Sequence, residues 1–316
     1  MTQSQNNPRG IVFILLGMAT FSIQDALIKF IYEDVALYEL YFGRTLVACI
    51  LLIIYLKITN QKINLKSHYP FLTILRVICF FFGFSFFYIS LTYMSLAMAN
   101  ALFFSSPFFI SILATIFLKE KVGIRRWIAI FAGFFGVYIV LNPDFNDFDY
   151  MKLAPVACAL CYAISMTITK VTSDKDNVYT QTFAFYIGAI IISSIFYFII
   201  GDGQFNTSNH PASQFIFRKW FVDLENSIIL MITTGITATL AFLLLFSAYS
   251  IASPSVVSPF EYSILLWSSL IGYVYFDEIP SLTTFIGILI IVSSGIYIFI
   301  REKAQDQSIV TEKPLR

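Results

Sequence analysis

Four ionisable side chains lie inside long apolar runs of the sequence: Asp25, Arg44, Arg76 and Glu261. An apolar run of about 20 residues has the length of a helix that spans a bilayer. A charge at the centre of such a helix costs roughly 2.5–3.5 kcal/mol on insertion scales. An intramembrane charge therefore needs a partner or a water-filled space, and these four residues are the first candidates for contact with a solute.

The composition predicts a polytopic membrane protein. Of the 316 residues, 58% are hydrophobic and only 12% are charged, and the mean hydropathy is +0.78. A soluble chain of this length carries about twice that share of charged residues. The net charge of +1 gives no sign of a nucleic-acid partner, so the lipid bilayer is the expected surrounding.

Ten apolar segments can be counted, and they predict an all-α membrane protein with ten transmembrane helices. A backbone in hydrocarbon must satisfy its own hydrogen bonds, which favours helices. The segments lie near residues 10–30, 36–58, 70–92, 97–118, 126–142, 150–170, 179–200, 226–250, 255–276 and 282–300.

The distribution of lysine and arginine predicts the orientation. Of the 20 basic residues, fourteen fall on the side that holds both termini, and two lie within apolar segments. The remaining four, on the other side, are Lys29, Lys152, Arg218 and Lys219. By the positive-inside rule, both termini are expected to be cytoplasmic.

The chain contains an internal repeat of five segments. "FSIQDALIK" at 21–29 matches "YAISMTITK" at 162–170, and "MSLA" at 94–97 matches "YSIA" at 249–252. Because five is an odd number, the second copy must cross the bilayer in the opposite direction. Inverted repeats of this kind are typical of secondary transporters.

The repeat predicts the domain organisation. We expect a first five-helix repeat over residues 1–142, an inverted second repeat over 150–300 and a cytoplasmic tail over 301–316.

Two long stretches carry a resemblance to a known family. They are "SSPFFISILATIFLKEKVGIRRWIAIFAGFFGVYIVLNP" in the first half and "SPFEYSILLWSSLIGYVYFDEIP" in the second. With the ten segments, they resemble the drug/metabolite transporter (DMT) superfamily, EamA type. "QDALIKF", "YFGRTL" and "LRVICFFFGFSFFYISLTYMSLA" are similar to bacterial S-adenosylmethionine uptake carriers. The resemblance implies a bacterial inner-membrane protein with a substrate cavity between its halves, lined by the first, third, fourth, sixth, eighth and ninth segments.

The depth of the four charges suggests how they pair. Asp25 and Arg44 both fall in the outer third of their segments, so they could form a pair. Arg76 lies roughly 9 Å in from Pro70, at 1.5 Å per residue, and Glu261 is about as deep. Arg76 and Glu261 are therefore expected to pair, or to face one water-filled cavity; Arg76 could also snorkel to the headgroups.

Other charged residues favour structural roles. Lys29 and Lys170 suit anchors at the membrane interface, and Glu120 and Glu278 close segments at corresponding places in the two repeats. Asp25 differs from these, because the other repeat has Met166 in its place, so the fold does not demand an acid there.

Polar and aromatic residues complete a predicted binding pocket. Asn100 and Ser105 precede a proline, which frees a backbone carbonyl one turn back. Tyr88, Tyr262 and Trp267 could stack on a flat ligand or enclose a cation. Aromatic residues make up 18% of the chain, however, so most of them must serve packing.

The predicted function is that of a secondary transporter working by alternating access. Its expected substrate is a small polar, zwitterionic metabolite, such as an amino acid or a compound like S-adenosylmethionine. A proton or a counter-substrate could couple to transport. The protein is expected to act as a monomer or homodimer without a cofactor.

An intramembrane enzyme or a lipid-handling protein is the alternative. The two histidines, His68 and His210, lie in loops, and the sequence lacks HExxH, GxSxG and P-loop motifs. Catalytic residues and metal ligands are therefore not predicted.

Overall fold

The computed structural model describes residues 7–60, 66–117, 124–142, 150–172, 175–176, 178–251 and 258–311. Within these ranges the chain is helical and contains no strand, which confirms the all-α class. The α-helices are α1 (Asn7–Ile31), α2 (Leu37–Ile58), α3 (Pro70–Ser90), α4 (Leu96–Phe103), α5 (Ser106–Phe117), α6 (Ile124–Leu141), α7 (Ala154–Thr172), α8 (Val178–Ile200), α9 (Pro211–Phe217), α10 (Leu224–Ile251), α11 (Ser263–Phe276) and α12 (Leu282–Thr311). Two 3-10 helices, Tyr150–Leu153 and Ser258–Tyr262, precede α7 and α11.

Seven helical segments of the described chain are long and apolar enough to cross a membrane, and two more, Trp127–Leu141 and Leu282–Tyr297, are shorter apolar helices. The predicted number of ten therefore stays a prediction. Helix α12 continues to Thr311, past the expected end of the second repeat at residue 300.

The predicted segment 97–118 is broken into α4 and α5 near its middle. Ser95 begins α4, because its side chain accepts a hydrogen bond from the Met98 backbone nitrogen at 3.2 Å. At the break, the Ser105 hydroxyl donates to the Leu102 carbonyl at 2.7 Å. Pro107 in the first turn of α5 lacks the backbone donor that would continue the helix through this point.

Most helix pairs join the first half of the chain to the second. Helix α1 packs on α10 and α11, α2 on α8 and α10, α3 on α7 and α8, and α6 on α12. Close approach depends on small residues: a Cβ added to Gly83 of α3 would lie 2.7 Å from the Cβ of Cys161 in α7. The interior of the bundle is thus an interface between the two halves.

Large apolar side chains also cover the outside of the bundle. Phe71 is 75% exposed and Phe198 is 84% exposed. Aromatic side chains with this exposure would be unfavourable in water, but they suit contact with lipid chains.

Candidate functional site

Asp25 and Arg44 are both buried, and they do not form an ion pair. Asp25 is 6% exposed, and its carboxylate receives a hydrogen bond of 3.5 Å from the side-chain amide of Asn100. The Arg44 guanidinium instead donates from Nη1 to the Tyr88 hydroxyl at 2.8 Å. The pairing expected from their depths is therefore wrong, because neutral groups occupy the immediate surroundings of each charge.

Two tyrosine rings enclose the Arg44 guanidinium. Its central carbon lies 5.1 Å from the ring centre of Tyr41 and 5.0 Å from that of Tyr88. The Tyr88 hydroxyl also accepts a hydrogen bond of 3.2 Å from the side-chain amide of Gln24, the neighbour of Asp25. Tyr88 thus links the helix that carries Asp25 to the helix that carries Arg44.

A row of aromatic rings continues from Tyr88 across the bundle. Neighbouring ring centres are 6.2 Å apart from Tyr88 to Phe84, 6.2 Å from Phe84 to Phe103, and 5.2 Å from Phe103 to Tyr162. The carboxylate of Glu261 acts electrostatically on Tyr162, so the far end of the row also has an acid nearby. We call Tyr88, Phe84, Phe103 and Tyr162 the aromatic row.

The other predicted pocket residues occupy different surroundings. The Ser105 hydroxyl donates within its own turn, and Tyr262 packs its ring 4.6 Å from Phe104 with its hydroxyl against Gly295 of α12. Tyr262 thus packs against Phe104 and α12, and its predicted contact with a solute stays a prediction. The Trp267 indole nitrogen is buried, and no acceptor in the described part of the chain reaches it.

Arg76 is separate from this cluster. It is 4% exposed, and its guanidinium donates to Gln181 twice: Nη2 to the backbone carbonyl at 2.5 Å, and Nη1 to the side-chain oxygen. A weaker contact of 3.4 Å reaches the Thr169 hydroxyl. Arg76 forms no ion pair with Glu261, so that predicted pairing is wrong, and its burial excludes snorkelling to the headgroups.

Gln181 in turn fixes the turn between α7 and α8. Its amide nitrogen donates to the Asp176 carbonyl at 3.0 Å and to the Thr172 hydroxyl at 3.2 Å. The side-chain and backbone oxygens of Gln181 at the start of α8 accept protons from Arg76, and the Asp176 carboxylate acts on the guanidinium electrostatically. This hydrogen bonding indicates a structural role for Arg76 in joining α3 to the α7–α8 turn.

Asp176 organises the polar groups at the surface beyond Arg76. Burial of its carboxylate raises its pKa, but hydrogen bonds from the Ser67 hydroxyl and from the His68 backbone and ring outweigh this effect. The net result is a pKa below the usual value of an aspartic acid. The His68 contacts are 3.0 Å from the backbone nitrogen and 3.1 Å from Nδ1.

Sequence reasoning missed five residues around Asp25 and Arg44 and along the aromatic row, and it also missed the partner of Arg76: Gln24, Tyr41, Phe84, Phe103, Tyr162 and Gln181. Gln24 and Gln181 carried a usable signal, because each is a polar amide within an apolar run. The aromatic residues carried none, since nothing in the sequence separates rings that meet in a row from rings that face lipid. No group of three or more potential metal ligands occurs among the residues with a described position.

Comparisons with known proteins place the chain among transporters. The family model described as "EamA-like transporter family" matches residues 8–142 and 151–300. A solved crystal structure superposes with a TM-score of 0.61 at 14% identity, covering 94% of this chain and 98% of the other, which supports the fold alone.

Curated relatives are bacterial transporters. The S-adenosylmethionine uptake transporter of Rickettsia bellii is 28% identical over 93% of this chain and 94% of its own length. The protein of the same name from Rickettsia felis is 29% identical, with 93% of each chain covered. The riboflavin transporter of Vibrio cholerae is 28% identical over 80% of this chain and 79% of its own.

Proposed function

The chain belongs to the EamA-like transporter family, and from this premise we propose that it carries S-adenosylmethionine, or a closely similar zwitterion, across the bacterial inner membrane. Membership of this family confirms the predicted class, a membrane transporter, and the family resemblance seen in the sequence. It argues against the alternative of an enzyme. The substrate and the mechanism are the proposal.

The observation that carries the proposal is the separation of Asp25 from Arg44. Two opposite charges are buried in one region, and each contacts neutral groups instead of the other charge. A buried charge without a counter-charge is costly. Arg44 acts on Asp25 electrostatically, but no ion pair joins them. A ligand that carries both a cation and a carboxylate would supply a counter-charge in direct contact with each, and this would favour the binding of zwitterions.

The chemistry of S-adenosylmethionine suits this region of the structure. Asp25 would face its cationic groups, and Arg44 would face its carboxylate. S-adenosylmethionine carries an ammonium, a sulfonium and a carboxylate, and so one net positive charge. Its adenine is flat and can stack on the aromatic row, while a sulfonium suits a ring face or a nearby acid.

Alternating access is supported by the way the two halves pack. When each helix of the first repeat is exchanged with its counterpart in the second, α1 corresponds to α7, α2 to α8, α3 to α10 and α6 to α12. The α1–α10 contact then becomes the α7–α3 contact, and the α2–α8 and α6–α12 contacts map onto themselves. Such exchange symmetry is what a pair of inverted repeats requires. The charged region is buried in this structure, so a solute would reach it only after one end of the bundle opens.

Riboflavin is the second candidate substrate. The relatives include a riboflavin transporter, and the aromatic row offers a flat surface to a neutral ring system. Riboflavin has neither a carboxylate nor an ammonium group, however, so it would leave Asp25 and Arg44 uncompensated.

Uptake by proteoliposomes tests the proposal. Purified full-length protein should accumulate or exchange labelled S-adenosylmethionine with saturation, and unlabelled S-adenosylmethionine should compete more strongly than methionine or riboflavin. Saturable riboflavin uptake without competition by S-adenosylmethionine would favour the second candidate. Absence of saturable uptake of either compound would overturn both.

A further inference from the structure

Lys29 and Glu278 form an ion pair at the end of the bundle opposite Arg76. We call this the outer end, since the distribution of basic residues predicts that it faces away from the cytoplasm. The Lys29 Nζ lies 2.5 Å from Glu278 Oε1 and donates to the Met94 carbonyl, also at 2.5 Å. The two side chains are only 12% and 17% exposed. Lys29 is thus more than the interface anchor expected from sequence.

Glu278 also holds the start of α4. Its second carboxylate oxygen accepts a hydrogen bond of 2.9 Å from the Leu96 backbone nitrogen. The carboxylate turns back towards the bundle because Asp277 ends α11 in the left-handed region, with φ of 53°, and the Glu278 nitrogen then donates to the Gly272 carbonyl at 3.0 Å. At this end, Lys29 and Leu96, in the first range that the family model matches, therefore both bind Glu278, in the second range.

A cavity of about 500 Å³ lies beside this ion pair. Both members of the pair line it, together with Tyr32, Tyr93 and the turn between α3 and α4. The cavity is broadly open to its surroundings, and its volume is of the size that a small molecule occupies. The cavity therefore offers a cation, an anion and two aromatic rings to a solute at the outer end.

We propose that this cavity is an outer binding site for a zwitterionic solute, which opens the outer end by exchanging partners with Lys29 and Glu278. The solute carboxylate takes the place of Glu278 beside Lys29, and the solute cation takes the place of Lys29 beside Glu278. This step rests on the proposed function, because it assumes a transported zwitterion.

The exchange keeps every charge paired. Breaking a largely buried ion pair by removing one partner is strongly unfavourable, since the other charge stays behind uncompensated. A solute with one charge would compensate only one member of the pair. A zwitterion compensates both, so only a zwitterion separates Lys29 from Glu278 at low cost and releases the start of α4.

Alkylation of a cysteine behind the ion pair measures this opening. Ala97 is 3% exposed and follows Leu96, so Ala97→Cys places a small thiol behind the closed contact. A membrane-impermeant maleimide should label it slowly in full-length protein. Millimolar S-adenosylmethionine or methionine should raise the labelling rate about tenfold, because we expect either solute to bind the open form about tenfold more tightly than the closed form.

Singly charged analogues supply the critical comparison. N-acetylmethionine keeps the carboxylate and methionine methyl ester keeps the ammonium, and neither should raise the rate. In Lys29→Met/Glu278→Gln the thiol should react quickly without any solute, and zwitterions should add nothing. Ser208→Cys, in an exposed outer loop, controls for direct effects on the reagent. An unchanged rate with the zwitterions, or an equal response to the analogues, overturns the proposal.

Proteoliposome uptake separates this proposal from the proposed function. Saturable uptake of S-adenosylmethionine with no change in alkylation rejects the outer site and leaves the transport function intact. A zwitterion-specific rise in alkylation without uptake of S-adenosylmethionine supports the outer site and rejects that substrate.

Discussion

Arg76 donates two hydrogen bonds to Gln181 and none to Glu261. The guanidinium therefore joins α3 to the first turn of α8, and the polar turn between α7 and α8 takes the role that a carboxylate partner was expected to have. Arg76 belongs to the framework of the bundle, whereas Asp25 and Arg44 belong to the candidate binding site.

Arg76→Met should destabilise the protein without acting through Glu261. Loss of the guanidinium leaves the buried side-chain oxygen of Gln181 without the Arg76 donor, which costs about 1–3 kcal/mol. In double-mutant cycles, Arg76→Met should couple to Gln181→Leu, while its coupling to Glu261→Gln stays below about 0.5 kcal/mol. Thermal unfolding in detergent measures both cycles. The exposed Arg125→Met is the matched control, and rescue of Arg76→Met by Glu261→Gln would contradict this assignment.

Asp25→Asn should abolish concentrative uptake and leave folding intact. Asparagine has the same shape, and within the described part of the chain the carboxylate accepts one hydrogen bond, the 3.5 Å contact from Asn100, so little structure depends on the charge. The lost charge removes the counter-charge for a substrate cation or for a coupling proton. Uptake and thermal unfolding are measured on the same preparation, with the exposed Asp34→Asn as control. Wild-type uptake by Asp25→Asn would exclude the role.

Arg44→Lys should weaken substrate affinity while keeping the positive charge. A lysine lacks the planar two-donor fork that can bind a carboxylate while it lies against the rings of Tyr41 and Tyr88. Loss of one charge-assisted hydrogen bond, worth about 1.5–3 kcal/mol, corresponds to an increase in KM of at least tenfold. The KM for S-adenosylmethionine in proteoliposomes tests this. An unchanged KM would place the substrate carboxylate elsewhere.

The stability of the protein should fall in acid because of Asp176. Its folded pKa lies below the unfolded value of about 3.9, so its contribution is complete above that value and is lost as the pH falls through the folded pKa. Asp176→Asn should remove this contribution at neutral pH and flatten the fall in melting temperature from about pH 6 to about pH 3. Asp34→Asn serves as control, and parallel profiles for wild type and Asp176→Asn would contradict the linkage.

Both termini should face the cytoplasm. In intact cells, a membrane-impermeant maleimide should label Ser208→Cys and should not label a cysteine added at either terminus. The wild-type chain provides the blank, because Cys49, Cys79, Cys158 and Cys161 all lie within helices of the bundle. Labelled termini together with an unlabelled Ser208→Cys would reverse the orientation, and with it the meaning of the outer end.

The sequence by itself determined the class of the protein and the residues with unusual chemistry. Composition and helical run length depend only on which residues follow one another, and a bilayer-spanning helix needs no distant partner for its backbone. The charges inside apolar runs were visible for the same reason, and so was the family, through "SSPFF" and its counterpart "SPFEY".

Only the tertiary structure decided which partner each charge has. Depth along a helix fixes one coordinate of a side chain, but pairing also depends on the rotation of each helix and on its neighbours. Residue counting predicts a similar depth for Arg76 and Glu261, and yet Arg76 donates to Gln181 while Glu261 acts on Tyr162. Arg44 donates to Tyr88, whereas Asp25 accepts from Asn100. Lys29 and Glu278 are 249 residues apart in sequence and meet because α1 packs on α11, a contact that local sequence does not encode.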